Sequence, residues 1–406
     1  MSPEIDGLEG SGLEGRGLES LAERFHAVYG RPAAGIWAAP GRVNLIGEHT
    51  DYNGGYVLPF ALPQVSKVAA AAREDRTVKV RSLLNGETAE FSLDGLAPGV
   101  VEGWAGYAAG VLWSLEQAGH RLPGMDLLID SNVPVGAGLS SSAALECSVA
   151  LAATEIAGVV LPAAELARLA QHAENDFVGM PCGIMDQMTA VAAEAEHALL
   201  LDTRSMSTEQ VPFTLAQDDL ALLVLDSLAE HRLVDGEYAA RRAQCEAGAR
   251  MLGVTSLREL TDDDVAPEDL LARITDEVIL RRVRHVLTEN ARVLAAREAL
   301  RTGAYAQLGE ILSAAHVSAR DDFEITVEET DTMVETLLTV PASVDVQPAL
   351  GARQVGGGFG GCVIALIHAD SFDGLLAAVQ ENARRRGFTE PTGFLARACP
   401  GARRLA

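Results

Sequence analysis

Lysine is almost missing from this chain. Of its 32 basic residues only Lys67 and Lys79 are lysines, and neither lies in a glycine-rich segment. A phosphate loop of the form G-x-x-x-x-G-K-[ST], with its lysine on the outer phosphates, is therefore excluded. Any cation at a reacting centre has to be an arginine, a metal ion or a helix N-terminus. Positive charge is short overall, since the formal net charge is −25. Nucleic acid and anionic membrane surfaces both call for a basic footprint, so neither is an expected partner. The acidity favours solubility and makes an anionic nucleotide hard to recruit without a local cation.

Cysteine is sparse as well. Cys147, Cys182, Cys245, Cys362 and Cys399 are odd in number, scattered and free of any CxxC pair. That pattern speaks against a disulfide framework or a structural zinc site. No stretch reaches the roughly 20 apolar residues of a membrane span. Residues 1–18, MSPEIDGLEGSGLEGRGL, have no apolar run of the signal-peptide kind. They are rich in Gly and Glu and read as a disordered tail. A cytoplasmic, reduced protein is expected.

What is present is ample for a core: 406 residues, 48% of them hydrophobic. Two or three domains are the expectation at this length. Strand-like runs at 65–72 and 77–84, in MDLLIDSNV, HALLLDT and LALLVLDS, and at 362–367 mix with helical patterns at 104–118, 141–157, 163–178, 235–252, 259–302, 304–320 and 372–386. Early hairpins and late helices do not give the regular alternation of a doubly wound sheet.

Three glycine-rich motifs stand out. In GAGLSSSAALE (136–146) a strand ends, glycines turn the chain and a helix begins at the serines. Orphan N–H groups and the positive end of a helix make such a place an anion site, although a plain serine N-cap after a turn has the same outline. In GRVNLIGEHTDYNGG (41–55), Arg42, Glu48, His49 and Asp51 crowd an otherwise apolar segment. Carboxylates at that density suit a ligand with many hydroxyls; a solvated turn is the alternative. VGGGFGGC (355–362) fits G-x-G-x-x-G, but a strand follows it and no second half-domain remains, so dinucleotide binding is rejected in favour of close backbone packing beside the phosphate loop. A fourth stretch, AENDFVGMPCGIMDQMTA, sets Asp186 between apolar neighbours, where an unpaired carboxylate is costly.

These segments, in this order, resemble the galactokinases of the GHMP small-molecule kinase family. GRVNLIGEHTDY resembles the galactokinase signature, VPVGAGLSSSAALE the family's ATP loop and VGGGFGGC its third motif. PCGIMDQ, DGEYAARRAQC, RHVLTENAR and RDDFEIT extend the similarity from about residue 20 to about residue 400. The resemblance implies an α+β, two-lobed fold: a ribosomal protein S5 domain 2-like lobe over 19–210 and a ferredoxin-like lobe over 211–406, with the site between them. It implies phosphorylation of the anomeric hydroxyl of α-D-galactose by MgATP.

Residue by residue, the resemblance makes Asp186 the catalytic base with Arg42 beside it. Glu48, His49, Thr50, Asp51, Gly183 and Tyr238 fall on sugar-side positions. Gly136, Ala137, Gly138, Leu139, Ser140, Ser141 and Ser142 form the phosphate cradle, and Ser82 and Trp104 correspond to residues around the adenine. Ser142 and Glu174 fall on the Mg²⁺ ligands. The missing lysine is thus replaced by backbone N–H groups, a metal and an arginine from another segment. Partners are small molecules, galactose and MgATP, and a monomer is expected. Kinases for N-acetylgalactosamine or arabinose, and a non-catalytic galactose sensor, are the neighbouring readings; the retained Ser142, Ala143, Arg42 and Asp186 speak against the sensor. One departure is Gln354–Val355, where many relatives carry Met-Thr.

Overall fold

Six strands of the computed structural model, which describes residues 10–229, 234–261, 267–343 and 346–406, form the first sheet. Their order is Arg403–Arg404, Gly35–Asn44, Pro59–Ala72, Met125–Ser131, Thr77–Ser82 and Thr88–Ser92. Successive side chains point to opposite faces of a strand, and here both faces are apolar. Trp37, Val68, Ala70, Leu127 and Ile129 pack under the helices Trp104–Gln117 and Ser141–Ile156. Ile36, Ala69, Ala71 and Leu128 face the other way and meet Leu21 and Phe25 of the helix Gly10–Tyr29.

That helix corrects the expected tail. The chain is already helical from Gly10, and only residues 1–9 of the stretch 1–18 lie outside the described residues. Once Leu21 and Phe25 anchor a helix on the sheet, each further turn adds a hydrogen bond per residue fixed. That offsets a glycine cost of about 1 kcal/mol each.

The second sheet is antiparallel, in the order Gly351–Gln354, Cys362–His368, Leu220–Asp226, Thr392–Ala396. Leu223, Leu225, Val363, Ala365 and Ile367 meet Met333, Val334, Leu337, Leu375 and Val379, which lie on the helices Glu328–Thr339 and Phe372–Arg386. Leu222, Val224, Ile364 and Leu366 share a core with Val43, Leu45, Ile46, Leu58 and Phe60 of the first lobe. One apolar core therefore runs through both lobes and sets the cleft between them.

The expected boundary near residue 210 falls inside a strand, Ser207–Pro212, of a small third sheet with Tyr56–Val57 and His197–Asp202. The change of lobe comes between Pro212 and Leu220. A second crossing was not foreseen: Arg403 and Arg404 pair with Ala38 and Trp37 on the edge of the first sheet. An edge strand with unpaired N–H and C=O groups is a liability, and this pairing covers it. The architecture is α+β and two-lobed. Among the described residues no helix is long and apolar enough to cross a membrane.

Candidate active site

The strand Gly35–Asn44 slips register against its neighbour between Pro40 and Arg42. Such an irregularity re-aims a side chain, and Arg42 turns into the cleft. Its Nε donates to Asp186 Oδ1 at 2.8 Å and its Nη2 to Asp186 Oδ2 at 2.7 Å. Nη1 reaches the carbonyl of Gly138 at 2.6 Å. The Ser140 hydroxyl completes the grip on Asp186 Oδ2. Asp186 sits in the first turn of the helix Met185–Ala192, where the N–H ends favour a carboxylate. The guanidinium is buried, which opposes its charge, but Asp186 and Glu48 raise its pKa further still.

The segment after this strand is held from the second lobe. Three side chains of the helix Glu277–Thr302 do the holding. His285 Nε2 donates to the Glu48 carbonyl at 3.1 Å. Glu289 Oε1 accepts from the Gly47 N–H at 2.9 Å, and Asn290 Oδ1 accepts from the Tyr56 N–H at 2.8 Å. Burial pushes His285 down to about 4, so it is the neutral tautomer that donates. Burial works against ionised Glu289 too, yet the Arg292 and Arg353 guanidiniums help bring it down to about 2.

On that support, Glu48 Oε1 accepts from the Gly356 N–H at 3.0 Å and faces Arg353 Nη1 at 3.3 Å. Burial raises the Glu48 carboxyl, against the pull of Arg353 and Arg42. His49 adopts a left-handed backbone, φ 60°. Its Nε2 donates to the Gly357 carbonyl at 3.2 Å and its Nδ1 accepts from the Tyr52 hydroxyl at 2.8 Å. Burial takes His49 down to about 3, so the ring is neutral. Asp51 is pushed up to about 6, first by burial and then by repulsion from Asp186.

Arg42, Glu48, His49, Asp51, Gly183, Asp186 and Tyr238 line one cavity of about 510 Å³, together with Met180, Cys182, Met185 and Gly357. Seven residues singled out from scattered sequence positions thus converge. Thr50 does not line it: its hydroxyl turns inward, towards the carbonyls of Gly47 and Tyr56 at 2.8 and 2.7 Å. The adenine-side candidates meet elsewhere. Ser82 donates its backbone N–H to the Glu87 carbonyl at 3.0 Å, and the Trp104 indole donates to the Glu87 carboxylate at 2.6 Å. Thr77–Ser82 runs parallel to Met125–Ser131, so both strands end at the same edge, where residues 133–140 begin.

In that loop, buried side chains alternate with exposed glycines from Gly136 to Leu139. Ala137 and Leu139 are buried in the shared core, whereas Gly136 and Gly138 are exposed. Gly136, Gly138 and Ser140 have φ of 79°, 73° and 60°. The glycine run 355–362 lies against it: Cys362 Sγ donates to the Ala137 carbonyl at 3.1 Å, and a Cβ on Gly356 would stand 3.6 Å from the Gly138 carbonyl. Gln354, the departure noted above, is buried and tied in, with its Oε1 accepting from the Thr330 hydroxyl and its Nε2 donating to the Ile325 carbonyl at 3.0 Å.

Ser141 opens the helix Ser141–Ile156, and Ser142 hydrogen-bonds Glu174. Glu174 lies on a π-turn, Ala173–Val178, a distortion frequent at functional sites. Burial and the nearby Asp186 charge raise its carboxyl. A hydroxyl and a carboxylate are hard oxygen donors, and Mg²⁺ commonly takes only one or two such groups while keeping waters and phosphate oxygens. The pair fits that ion. Among the described residues no group of three or more His, Cys, Asp or Glu side chains is arranged to hold a metal.

Sequence reasoning passed over Arg353, His285, Glu289, Gln187 and Glu146. The one signal available was in RHVLTENAR, where a histidine and a glutamate four apart share a helix face.

The chain as a whole resembles known proteins. The chain matches the galactokinase galactose-binding signature over residues 23–72, the GHMP kinases N terminal domain over 106–194 and the GHMP kinases C terminal domain over 296–385. It is 46% identical to a galactokinase of Streptomyces coelicolor, across 95% of this chain and 98% of that protein. A galactokinase of Mycobacterium tuberculosis is 44% identical, across 90% and 98%. Among solved structures, Lactococcus lactis galactokinase complexed with galactose superposes with a TM-score of 0.88 at 34% identity, covering 96% of this chain and all of that one. A mevalonate kinase, at 16% identity and a TM-score of 0.62, shares the fold. With near-complete coverage at this level of identity, the chain belongs to the galactokinase family of the GHMP kinases.

Proposed function

We propose that this enzyme transfers the γ-phosphoryl group of ATP to the anomeric hydroxyl of α-D-galactose. The observation that carries the reading is the Arg42–Asp186 pair, braced by Ser140 and the Gly138 carbonyl and open to a cavity walled by Glu48, His49 and Asp51. Asp186 retains lone pairs beyond those its partners use and accepts the proton of the attacking hydroxyl. Arg42 offsets negative charge gathering between the sugar oxygen and the phosphoryl group. Glu48 and Asp51 accept from sugar hydroxyls, and neutral His49 and Tyr238 complete the wall without adding charge. Gly183 leaves room for Asp51.

The backbone N–H groups of 136–142 cradle the phosphates, and Ser82 and Trp104 flank the adenine. Ser142 and Glu174 would hold Mg²⁺. When bound, MgATP supplies the phosphoryl group and the metal neutralises part of its charge. None of the five cysteines is joined in a disulfide, which suits the reducing cytoplasm.

The test is incubation with MgATP and galactose, N-acetylgalactosamine, glucose or arabinose, following ADP release and sugar phosphate. Turnover concentrated on galactose is the expected result. Galactose binding with no turnover on any sugar would refute the kinase reading.

A further inference from the structure

Gln187 stands where two buried acids meet, and the reaction described above does not use it. Its side chain is 0% exposed, as is that of Glu146. The Gln187 amide nitrogen lies 2.7 Å from Glu174 Oε2 and 3.2 Å from Glu146 Oε2. Glu146 follows Ser142 by one turn on the helix Ser141–Ile156, so both project from the same face. Gln187 itself comes from another helix, one residue beyond Asp186. The amide oxygen of Gln187 and Oε1 of Glu146 are buried without a hydrogen-bond partner.

Three polar side chains packed together, two with an unsatisfied oxygen, cost stability that an apolar trio of the same volume would not. Packing alone therefore does not account for them. What the arrangement does achieve is geometric. Glu174 rides on a π-turn, whose backbone bonding is less regular than that of the helices on either side. The amide has two N–H bonds, one directed at each acid, so the Gln187 side chain is fixed from both sides. The Glu174 carboxylate is in turn held by Gln187, Ser142 and Cys182, and Glu146 meets it directly as well.

We propose that Gln187 is a positioning residue for the divalent cation: its amide keeps the Glu174 carboxylate turned towards Ser142, and Glu146 keeps the amide in place. The proposal rests on the reading of Ser142 and Glu174 as cation ligands. Glu146 supports Glu174 both through Gln187 and directly, and is not itself a ligand of the ion. The same short helix then carries the base at 186 and the residue that orders the metal ligand at 187, which ties the placement of the cation to that of the reacting oxygen.

Mn²⁺ serves as the spectroscopic stand-in. Its binding to the full chain in the presence of ADP, read from the electron paramagnetic resonance signal of the free ion, reports the cation site without turnover. Gln187→Met keeps the length and volume of the side chain and removes the amide. It is expected to weaken Mn²⁺ binding by about 10–100-fold, the usual effect of losing a partner that orients a metal ligand. Galactose affinity, by calorimetry, should stay within about twofold on the same basis, since Gln187 is not a sugar contact. An unchanged Mn²⁺ affinity overturns the proposal, and so does a parallel loss of galactose affinity, which would mark a general collapse of the cleft.

If Gln187→Met does not fold, Glu146→Gln carries the test, because it leaves the amide a partner while removing the acid. Mn²⁺ affinity close to that of the parent supports the proposal, and a loss above about tenfold, the range expected for an orienting or ligating group, shows Glu146 acting on the ion by charge and overturns it. Ser142→Ala and Glu174→Ala separate the two layers. If they weaken Mn²⁺ binding and Gln187→Met does not, only the positioning role fails; if they too are without effect, the ligand assignment fails and the proposal with it.

Discussion

At one end of the cleft, Glu48 and His49 are buried and Asp51 half-buried among charges from both lobes. At the other, residues 136–140 present glycine backbone to open space. Two glycines make the contrast concrete. A Cβ on Gly183 would lie 1.5 Å from Asp51 Oδ2, while the residue has no positive φ. A Cβ on Gly136 would meet nothing within 4 Å, but the residue sits at φ 79°. Gly183 is needed for its emptiness and Gly136 for its conformation. On the proposed reading, the wall of Glu48, His49 and Asp51 selects the sugar by its shape, and the loop 136–140 holds a polyphosphate by its amide dipoles.

The comparison can be broken or sharpened by substitution. The largest effect belongs to the group between the two ends. Asp186→Asn is expected to lower kcat by about 10²–10⁴-fold, the usual worth of a positioned base, with galactose binding nearly intact by calorimetry. Near-normal turnover would remove Asp186 from the mechanism. Next comes Gly183→Ala. The Asp51 carboxylate is a movable tip, so the protein folds but the carboxylate turns away. Loss of a charged hydrogen-bonding group, about 1.5–3 kcal/mol, should weaken galactose roughly 10–100-fold and leave the KM for ATP alone. An equal effect on both substrates would contradict the division of labour.

A smaller and graded effect is expected from pH. Asp51 titrates near 6, and its ionised form is the better acceptor. Galactose affinity should therefore hold above pH 6 and fall as the pH drops through it, by up to about tenfold per unit if the ionised form alone binds. Asp51→Asn should flatten that profile. The sign for stability is opposite. A carboxyl raised in the fold favours the native state below its unfolded pKa and costs stability as the pH rises through the folded one. At pH 7 Asp51→Asn should then melt a few degrees higher than the parent, with the gain fading below about pH 4. Gly136→Ala is the smallest change: strain of about 1–2 kcal/mol in the left-handed region should appear as a rise of roughly tenfold or less in the KM for ATP, with galactose affinity unaltered.

That Glu48, His49 and Asp51 gather at one place, and that a glycine turn leads into a helix at 136–142, were legible because each is written in one contiguous run. The supports were not. Arg353 reaches Glu48, and His285 and Glu289 reach residues 47–48, from far along the chain, and only the fold brings them there. Thr50 shows the converse error of proximity: next to Glu48, His49 and Asp51 it reads as one more ligand contact, yet its hydroxyl faces backbone carbonyls. Ser207–Pro212 is polar along most of its length because it is a largely exposed hairpin strand, so no apolar alternation announced it. The helix Phe372–Arg386, amphipathic and followed by glycine, was read to the residue.

The return of Arg403 and Arg404 to the edge of the first sheet bears on the order in which this protein can mature. Synthesis is directional, and domains tend to fold as they emerge. The strand that carries Arg42 is among the first to appear, but its outer partner is made only after the whole second lobe. Until then one edge of the sheet that founds the site stays open to pairing with other chains, and the nascent protein depends on its own far end to close it.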